Sequence, residues 1–320
     1  MEELLNKYLN KIVNKIKIKE VLVRELGPRE GFQMEKQFVD TSIKIDFINR
    51  LSDTGLKYIE VTSFVNPKWV PNLADAEEVL KNINKKEGVI YAALVLNSKG
   101  VDRAINLVKY LNTTIFADEN INLKNNNKTI KESLKEAEDI IRKCQDNNIV
   151  LEGGISAVWG SPLNQEIPLN NILMILDFWV KNGIKNIMLA DTTGEANYIT
   201  TKTVLSILKD KYPQTNFIMH FHDSRGLGLI NVLASLEEGA NVFDSSVAGL
   251  GGCPFAPNSV GNICTEDLVY LLNTLNIKTN INLEKLISCA LYIENILNKK
   301  LPGRIKDLYK NLENFNLLKL

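Results

Sequence analysis

Met219-His220-Phe221-His222-Asp223 holds both histidines of the 320-residue chain, one residue apart. The apolar run Phe217-Ile218-Met219 leading into it reads as a β-strand, and on a strand side chains two apart share a face. Both imidazoles then point the same way. Two imidazoles on one face serve as neighbouring ligands for a divalent ion. Alone, the pair is equally consistent with two half-buried histidines on a strand, so the groups that the rest of the chain brings to the same place decide.

The same strand is one of a series. Val21-Leu22-Val23-Arg24-Glu25-Leu26 is a β-rich run broken by Gly27-Pro28, and Tyr58-Ile59-Glu60-Val61-Thr62 is a second. Further candidate strands fall near Val89, Thr114, Ile149, Asn186, Asn216 and Asn241. Between them lie amphipathic helical patterns, such as Thr41 to Leu51, Thr129 to Asn147 and Leu169 to Asn182. Eight strands about 25 to 37 residues apart match repeated βα units and predict a (β/α)8 TIM barrel. Helical patterns near Thr265 to Leu275, Leu283 to Asn298 and Ile305 to Phe315 would close or flank it. Residues 1–19, with Leu5, Leu9, Ile12 and Ile16 on one helix face, form a predicted N-terminal helical extension, and 20–320 form the barrel with its C-terminal helices. A doubly wound sheet would carry a glycine-rich G-x-G-x-x-G turn after the first strand, and Gly27-Pro28-Arg29-Glu30-Gly31 is not one.

In such barrels the reacting groups sit at the C-terminal strand ends and in the loops just after them. The polar clusters fall there. Arg29 and Glu30 follow the first strand; Glu60, Thr62 and Ser63 end the second; Asp191 and Thr192 end the sixth; His220 and His222 end the seventh. After the eighth come Gly249-Leu250-Gly251-Gly252-Cys253-Pro254 and then Asn262. Glu30, His220, His222 and Asn262 offer one carboxylate oxygen, two imidazole nitrogens and one amide oxygen. That mixed set, with open positions, suits Mg2+ or Mn2+ better than a closed four-ligand zinc site. Each residue also has a plainer reading. Glu30 suits a surface carboxylate or an ion pair with Arg29, Asp191 and Asn262 suit helix caps, and Cys253 suits a small buried apolar side chain. Glu60 fits least well, because it interrupts an apolar strand and needs a partner if buried.

Composition narrows the partner. Lys plus Arg and Asp plus Glu are equal at 38 each, which removes the electrostatic case for nucleic acid or a membrane surface and leaves a small molecule. Cys144, Cys253, Cys264 and Cys289 form no C-x-x-C pair, as expected of reduced thiols. With no signal-peptide core at the start and no apolar run long enough to span a bilayer, the expected compartment is the cytoplasm.

At four places the chain resembles the DRE-TIM metallolyases, and within them the 3-hydroxy-3-methylglutaryl-CoA lyase family. Glu25-Leu26-Gly27-Pro28-Arg29-Glu30-Gly31-Phe32-Gln33 is similar to E-V-G-P-R-D-G-L-Q of that family. The stretch from Ile59 to Pro71, the His220-x-His222-Asp223 stretch, and Val242 to Tyr270 with its G-L-G-G-C-P loop complete the match. The resemblance implies a metal held by Glu30, His220, His222 and Asn262. It implies that Arg29 stabilises the enolate of the thioester product, that Cys253 takes part in proton transfer, and that Glu60, Asp191 and Thr192 organise the site. The implied reaction is retro-Claisen cleavage of an acyl-CoA substrate to acetyl-CoA and acetoacetate, with a homodimer as the assembly to test. Departures from the family pattern point to a varied pocket. Glu30 replaces aspartate, Ala157 and Ser161 replace two cysteines, and Trp159 and Arg225 bring bulk and charge that are expected near the mouth. The 116–120 segment is shortened. The rival readings are a Claisen-condensing acyltransferase of the same superfamily, which Glu30 favours and the G-L-G-G-C-P loop opposes, and a catalytically idle ligand-binding relative.

Overall fold

The computed structural model describes residues 16–161, 167–252 and 261–310 of the chain. The strands are β1 (Leu22–Glu25), β2 (Tyr58–Ser63), β3 (Ile90–Leu94), β4 (Tyr110–Asn112), β5 (Ile115–Phe116), β6 (Val150–Ser156), β7 (Asn186–Asp191), β8 (Asn216–Phe221) and β9 (Val242–Ser245). Every pairing between them is parallel, β1 joins β9, and β4 joins β6, so the sheet closes on itself. This is the expected (β/α)8 barrel.

The fourth barrel strand is built in two pieces. The expected strand near Thr114 is interrupted there, with β4 before the break and β5 after it. Asn112 pairs with Glu152 and Ile115 with Ile155, so the register across the gap is unchanged, and the Thr113 N–H still reaches the Glu152 carbonyl at 3.0 Å. Pairing lapses for two residues and resumes in step.

Helices wrap the sheet where the periodicity places them. The helix Ile130–Asp146 begins with a reciprocal cap in which the Thr129 hydroxyl accepts from the Glu132 N–H at 3.1 Å and Glu132 accepts from the Thr129 N–H at 2.7 Å. Its buried side chains, Ile130, Ser133, Ala137, Ile140, Ile141 and Cys144, recur every three or four residues and face the strands. Close approach has a specific cause at β6. A Cβ on Gly153 would lie 2.7 Å from the Trp179 ring, so glycine there lets the helix Leu169–Lys181 lay a fully buried indole on the sheet.

The expected helix over residues 1–19 lies almost wholly outside the described residues. Of the pattern from Ile305 to Phe315, the described part is the helix Arg304–Lys310. Among the described residues no helix is long and apolar enough to cross a membrane, and Cys144, Cys264 and Cys289 are free, buried thiols.

Candidate metal centre and cavity

β8 carries the two imidazoles to the C-terminal mouth of the barrel. His220 lies within the strand and His222 just past its end, on one face, with ring centroids 5.3 Å apart. Phe221, on the opposite face, packs against Trp159 at 5.6 Å between ring centroids. Asn262 arrives by a separate route. The return segment runs antiparallel to the end of β8, with Asp223 N–H on the Gly261 carbonyl at 2.8 Å and Ile263 N–H on the Phe221 carbonyl at 3.2 Å, which sets Asn262 opposite His222.

Glu30 comes from a wide helical turn, Gly27–Gly31, in which the Leu26 carbonyl accepts from both Arg29 and Glu30 N–H groups at 3.1 and 2.9 Å. Consecutive side chains there diverge, yet Arg29 bends back to pair with Glu30 at 2.8 Å and donates its Nε–H to Glu60. Glu60, buried in β2, also accepts from the Asn112 amide, and Glu30 accepts from the Asn262 amide. One ligand atom from each of Glu30, His220 and His222 lies within 4.8 Å of the others. A compact group of one carboxylate and two imidazoles is a donor set that fits a divalent ion.

The electrostatics keep two of the three in ligand form. Burial opposes the Glu30 carboxylate, but Arg29, the two imidazoles and the Asn262 amide outweigh it and hold its pKa down at about 2. Burial and the neighbouring His220 push His222 down to about 4, so it is a neutral imidazole at neutral pH. For His220, burial favours the neutral ring, and the charges of Glu30 and Asp244 overcome it to raise the pKa. Of the three, His220 is the one whose surroundings favour a proton, so there a bound cation would compete with it.

Several groups that the sequence did not single out complete the layer beneath. His220 Nδ1 faces Asp244 at 3.3 Å, and Asp244 pairs with Arg24 at 2.9 Å. Arg24 also pairs with Glu152 at 2.9 Å and donates to the Tyr58 hydroxyl at 3.1 Å, while that hydroxyl donates to Asn112 at 3.0 Å. The polar contacts thus run in a circuit from Glu30 through Arg29, Glu60, Asn112, Tyr58, Arg24, Asp244 and His220. Charged residues inside apolar strands, as Arg24 and Asp244 are, were the available signal. A carboxylate on the second nitrogen of a ligand histidine fixes its tautomer and ring plane. Asp244→Asn is expected to weaken metal binding about 10-fold to 100-fold, measured by Mn2+ titration with electron paramagnetic resonance.

The remaining expectations divide. A cavity of about 610 Å3 opens at the mouth, lined by Arg29, Glu30, Thr192, His220 and His222 and also by Lys128 and Glu136. That volume suits a small molecule. Glu60, Asp191 and Asn262 sit behind this wall. Asp191 is fully buried and accepts from the Glu195 and Ala196 N–H groups at 2.8 and 3.1 Å, so it holds the turn after β7, and burial pushes its pKa up to about 6. Thr192 accepts from the Ala157 N–H at 2.8 Å, which fixes the left-handed Ala157 (φ 62°) after β6. Neither expected newcomer lines the cavity. Trp159 lies on Phe221 and points its N–H toward the Thr200 carbonyl at 3.4 Å, and Arg225 clamps the carbonyls of Thr193 and Gly194 at 2.6 and 3.1 Å. Cys253 falls outside the described residues.

A (β/α)8 barrel with a carboxylate and two imidazoles gathered at its C-terminal mouth defines a class of barrels built around a candidate divalent-ion site. Within that class the chain belongs to the HMGL-like family, whose model matches residues 20–293. It is 42% identical over 294 residues to the hydroxymethylglutaryl-CoA lyase YngG of Bacillus subtilis, covering 92% of this chain and 98% of that one. The crystal structure of the Bacillus subtilis HMG-CoA lyase superposes with a TM-score of 0.89 at 42% identity, over 91% of this chain and 98% of that chain. An HMG-CoA lyase from Acinetobacter baumannii, solved in complex with coenzyme A and 3-methylmalate, gives 0.87 at 38% identity, over 94% of this chain and 98% of that chain.

Proposed function

We propose that this chain is a divalent-metal-dependent carbon–carbon lyase that cleaves 3-hydroxy-3-methylglutaryl-CoA to acetyl-CoA and acetoacetate, with Mg2+ or Mn2+ as the ion. The observation that carries this reading is the meeting of Arg29 with Glu30, His220 and His222 on one wall of a cavity of about 610 Å3, in a chain whose relatives of about 40% identity are HMG-CoA lyases. Coenzyme A in the Acinetobacter baumannii relative supports an acyl-CoA ligand for the same cavity.

Glu30, His220 and His222 would hold the ion, with Asn262 orienting Glu30 or turning its amide oxygen inward as a further ligand. When bound, the ion supplies Lewis-acid polarisation and chelation of substrate oxygens. The reaction needs no redox step. The tertiary hydroxyl gives up its proton, the adjacent C–C bond breaks, and its electron pair passes to the acetyl thioester as an enolate that then takes a proton at carbon. Arg29, anchored from two sides by Glu30 and Glu60, presents a fixed cation to the enolate oxygen, where pre-set charge costs no reorganisation. Asp244 fixes the ring of His220, and Asp191 and Thr192 hold the turns around the mouth. Cys253 delivers the proton to the enolate carbon. Cys253→Ala is therefore expected to keep the metal and lose about 10²-fold in turnover, and full activity in that variant would remove the cysteine from the mechanism.

The test is product analysis. Purified protein with 3-hydroxy-3-methylglutaryl-CoA and Mg2+ or Mn2+ releases acetoacetate and acetyl-CoA in equal amounts, and a chelator stops it. Consumption of acetyl-CoA with a 2-oxo acid and release of free CoA, without cleavage of the hydroxymethylglutaryl thioester, would overturn the proposal in favour of condensation.

A further inference from the structure

We infer that Glu25 is a positioning residue: its buried carboxylate ties together three backbone segments, the turn that presents Arg29 and Glu30 to the cavity, the turn after β9, and the helix start that follows Asn262. The inference rests on the proposed function for its kinetic readout only. Glu25 is the last residue of β1 and fully buried, and it lines no part of the cavity. Its Oε1 accepts from the Gly27 N–H at 2.8 Å and from the Val247 N–H at 2.9 Å, and its Oε2 accepts from the Thr265 hydroxyl at 2.6 Å. The Thr265 oxygen in turn pairs with the Ser245 hydroxyl at 2.9 Å. Each donor to Glu25 belongs to a different segment. Gly27 opens the turn that carries Arg29 and Glu30, Val247 opens the turn Val247–Gly249 after β9, and Thr265 begins the helix three residues beyond Asn262.

Those segments also ride on one another. A Cβ on Gly31 would lie 2.9 Å from the Leu250 Cβ, and one on Gly251 would lie 3.6 Å from the Glu30 carbonyl oxygen. Gly27 is equally constrained, since a Cβ there would lie 2.5 Å from Glu25 Oε1. At such spacing, displacement of one turn moves the next. A buried carboxylate is costly unless its lone pairs are used, and here three donors use them. Glutamine can keep the arrangement, because its amide oxygen accepts both N–H groups and its NH2 donates to Thr265 once that hydroxyl rotates. Methionine, of similar length, leaves two buried N–H groups unpaired.

The experiment compares wild type, Glu25→Gln and Glu25→Met. Glu25→Met is expected to lose about 10²-fold in kcat with KM within about 3-fold, and about 10-fold in Mn2+ affinity. Backbone amide exchange should accelerate over 27–31 and 246–252 but not in β6 and β7. Glu25→Gln should stay within about 5-fold of wild type. A folded Glu25→Met protein with wild-type kcat and Mn2+ affinity would overturn the inference, as would exchange accelerated evenly around the barrel, the mark of general destabilisation. Should Glu25→Met fail to fold, Thr265→Val decides: faster exchange confined to 261–265 with a loss of about 3-fold to 10-fold in kcat supports the tie, and no change refutes it. If the wild type does not cleave the hydroxymethylglutaryl thioester, the Mn2+ and exchange readouts still judge Glu25, so the two failures are told apart.

Discussion

His222→Ala is expected to lose the bound divalent ion and at least about 10³-fold in turnover, the scale of losing a Lewis acid that contributes several kcal/mol to the transition state. His222 is the imidazole that burial and His220 keep neutral, with a pKa near 4, so its lone pair is available across the working range. Its loss leaves Glu30 and His220, a pair that binds a divalent ion weakly. The substitution sits at the strand end and not in the apolar core, so the barrel should remain folded by circular dichroism. Metal content after desalting and kcat with excess Mg2+ are the two readouts. A metal-free variant with full activity would remove the site from the chemistry.

Arg29→Gln is expected to lower kcat by about 10²-fold to 10³-fold, the effect of removing one pre-set donor from a developing oxyanion. It carries a signature opposite to that of His222. Arg29 lies between Glu30 and Glu60, and its positive charge is a leading cause of the depressed Glu30 pKa. Without that cation, Mn2+ affinity should hold or rise while turnover falls. Stability should fall as well, because Glu60 is buried beside Glu30 and burial already raises its pKa against the pull of Arg29. Arg29→Lys should not restore full activity, since one ammonium cannot match a planar fork braced by two carboxylates. A lower Mn2+ affinity that explained the whole loss of kcat would reassign Arg29 to metal retention.

How much of this was legible in the sequence follows from which contacts are local. The βα alternation and the polar strand ends are short-range patterns, and they led to the barrel. His220 and His222 share a face because they are two residues apart on one strand. Asn262 was different. Its position after the eighth strand put it among the candidate donors, but its place opposite His222 depends on a return segment antiparallel to the end of β8, which no local pattern encodes. The layer beneath was not read from the sequence: Arg24 and Asp244 are charges in apolar strands, but their pairing joins the first and last strands of the barrel, which no local pattern encodes. Arg225 and Trp159, departures from the family pattern, were expected near the mouth, and both lie at the strand ends there without lining the cavity: Arg225 turns to the carbonyls after β7, and Trp159 lies over Phe221, on the strand face opposite the two histidines. The break near Thr114 was not legible either, since the β-branched residues there read as unbroken strand.

We propose that Glu30, His220 and His222 hold one ion on which cleavage depends. The direct measurement strips the protein of metal and titrates Mn2+ back, following bound Mn2+ by electron paramagnetic resonance and acetoacetate release in the same samples. Turnover that is absent at the start and rises in proportion to a single bound ion per chain is the predicted result. Full acetoacetate release from the stripped protein in chelator, or release that does not track the bound ion, would contradict it.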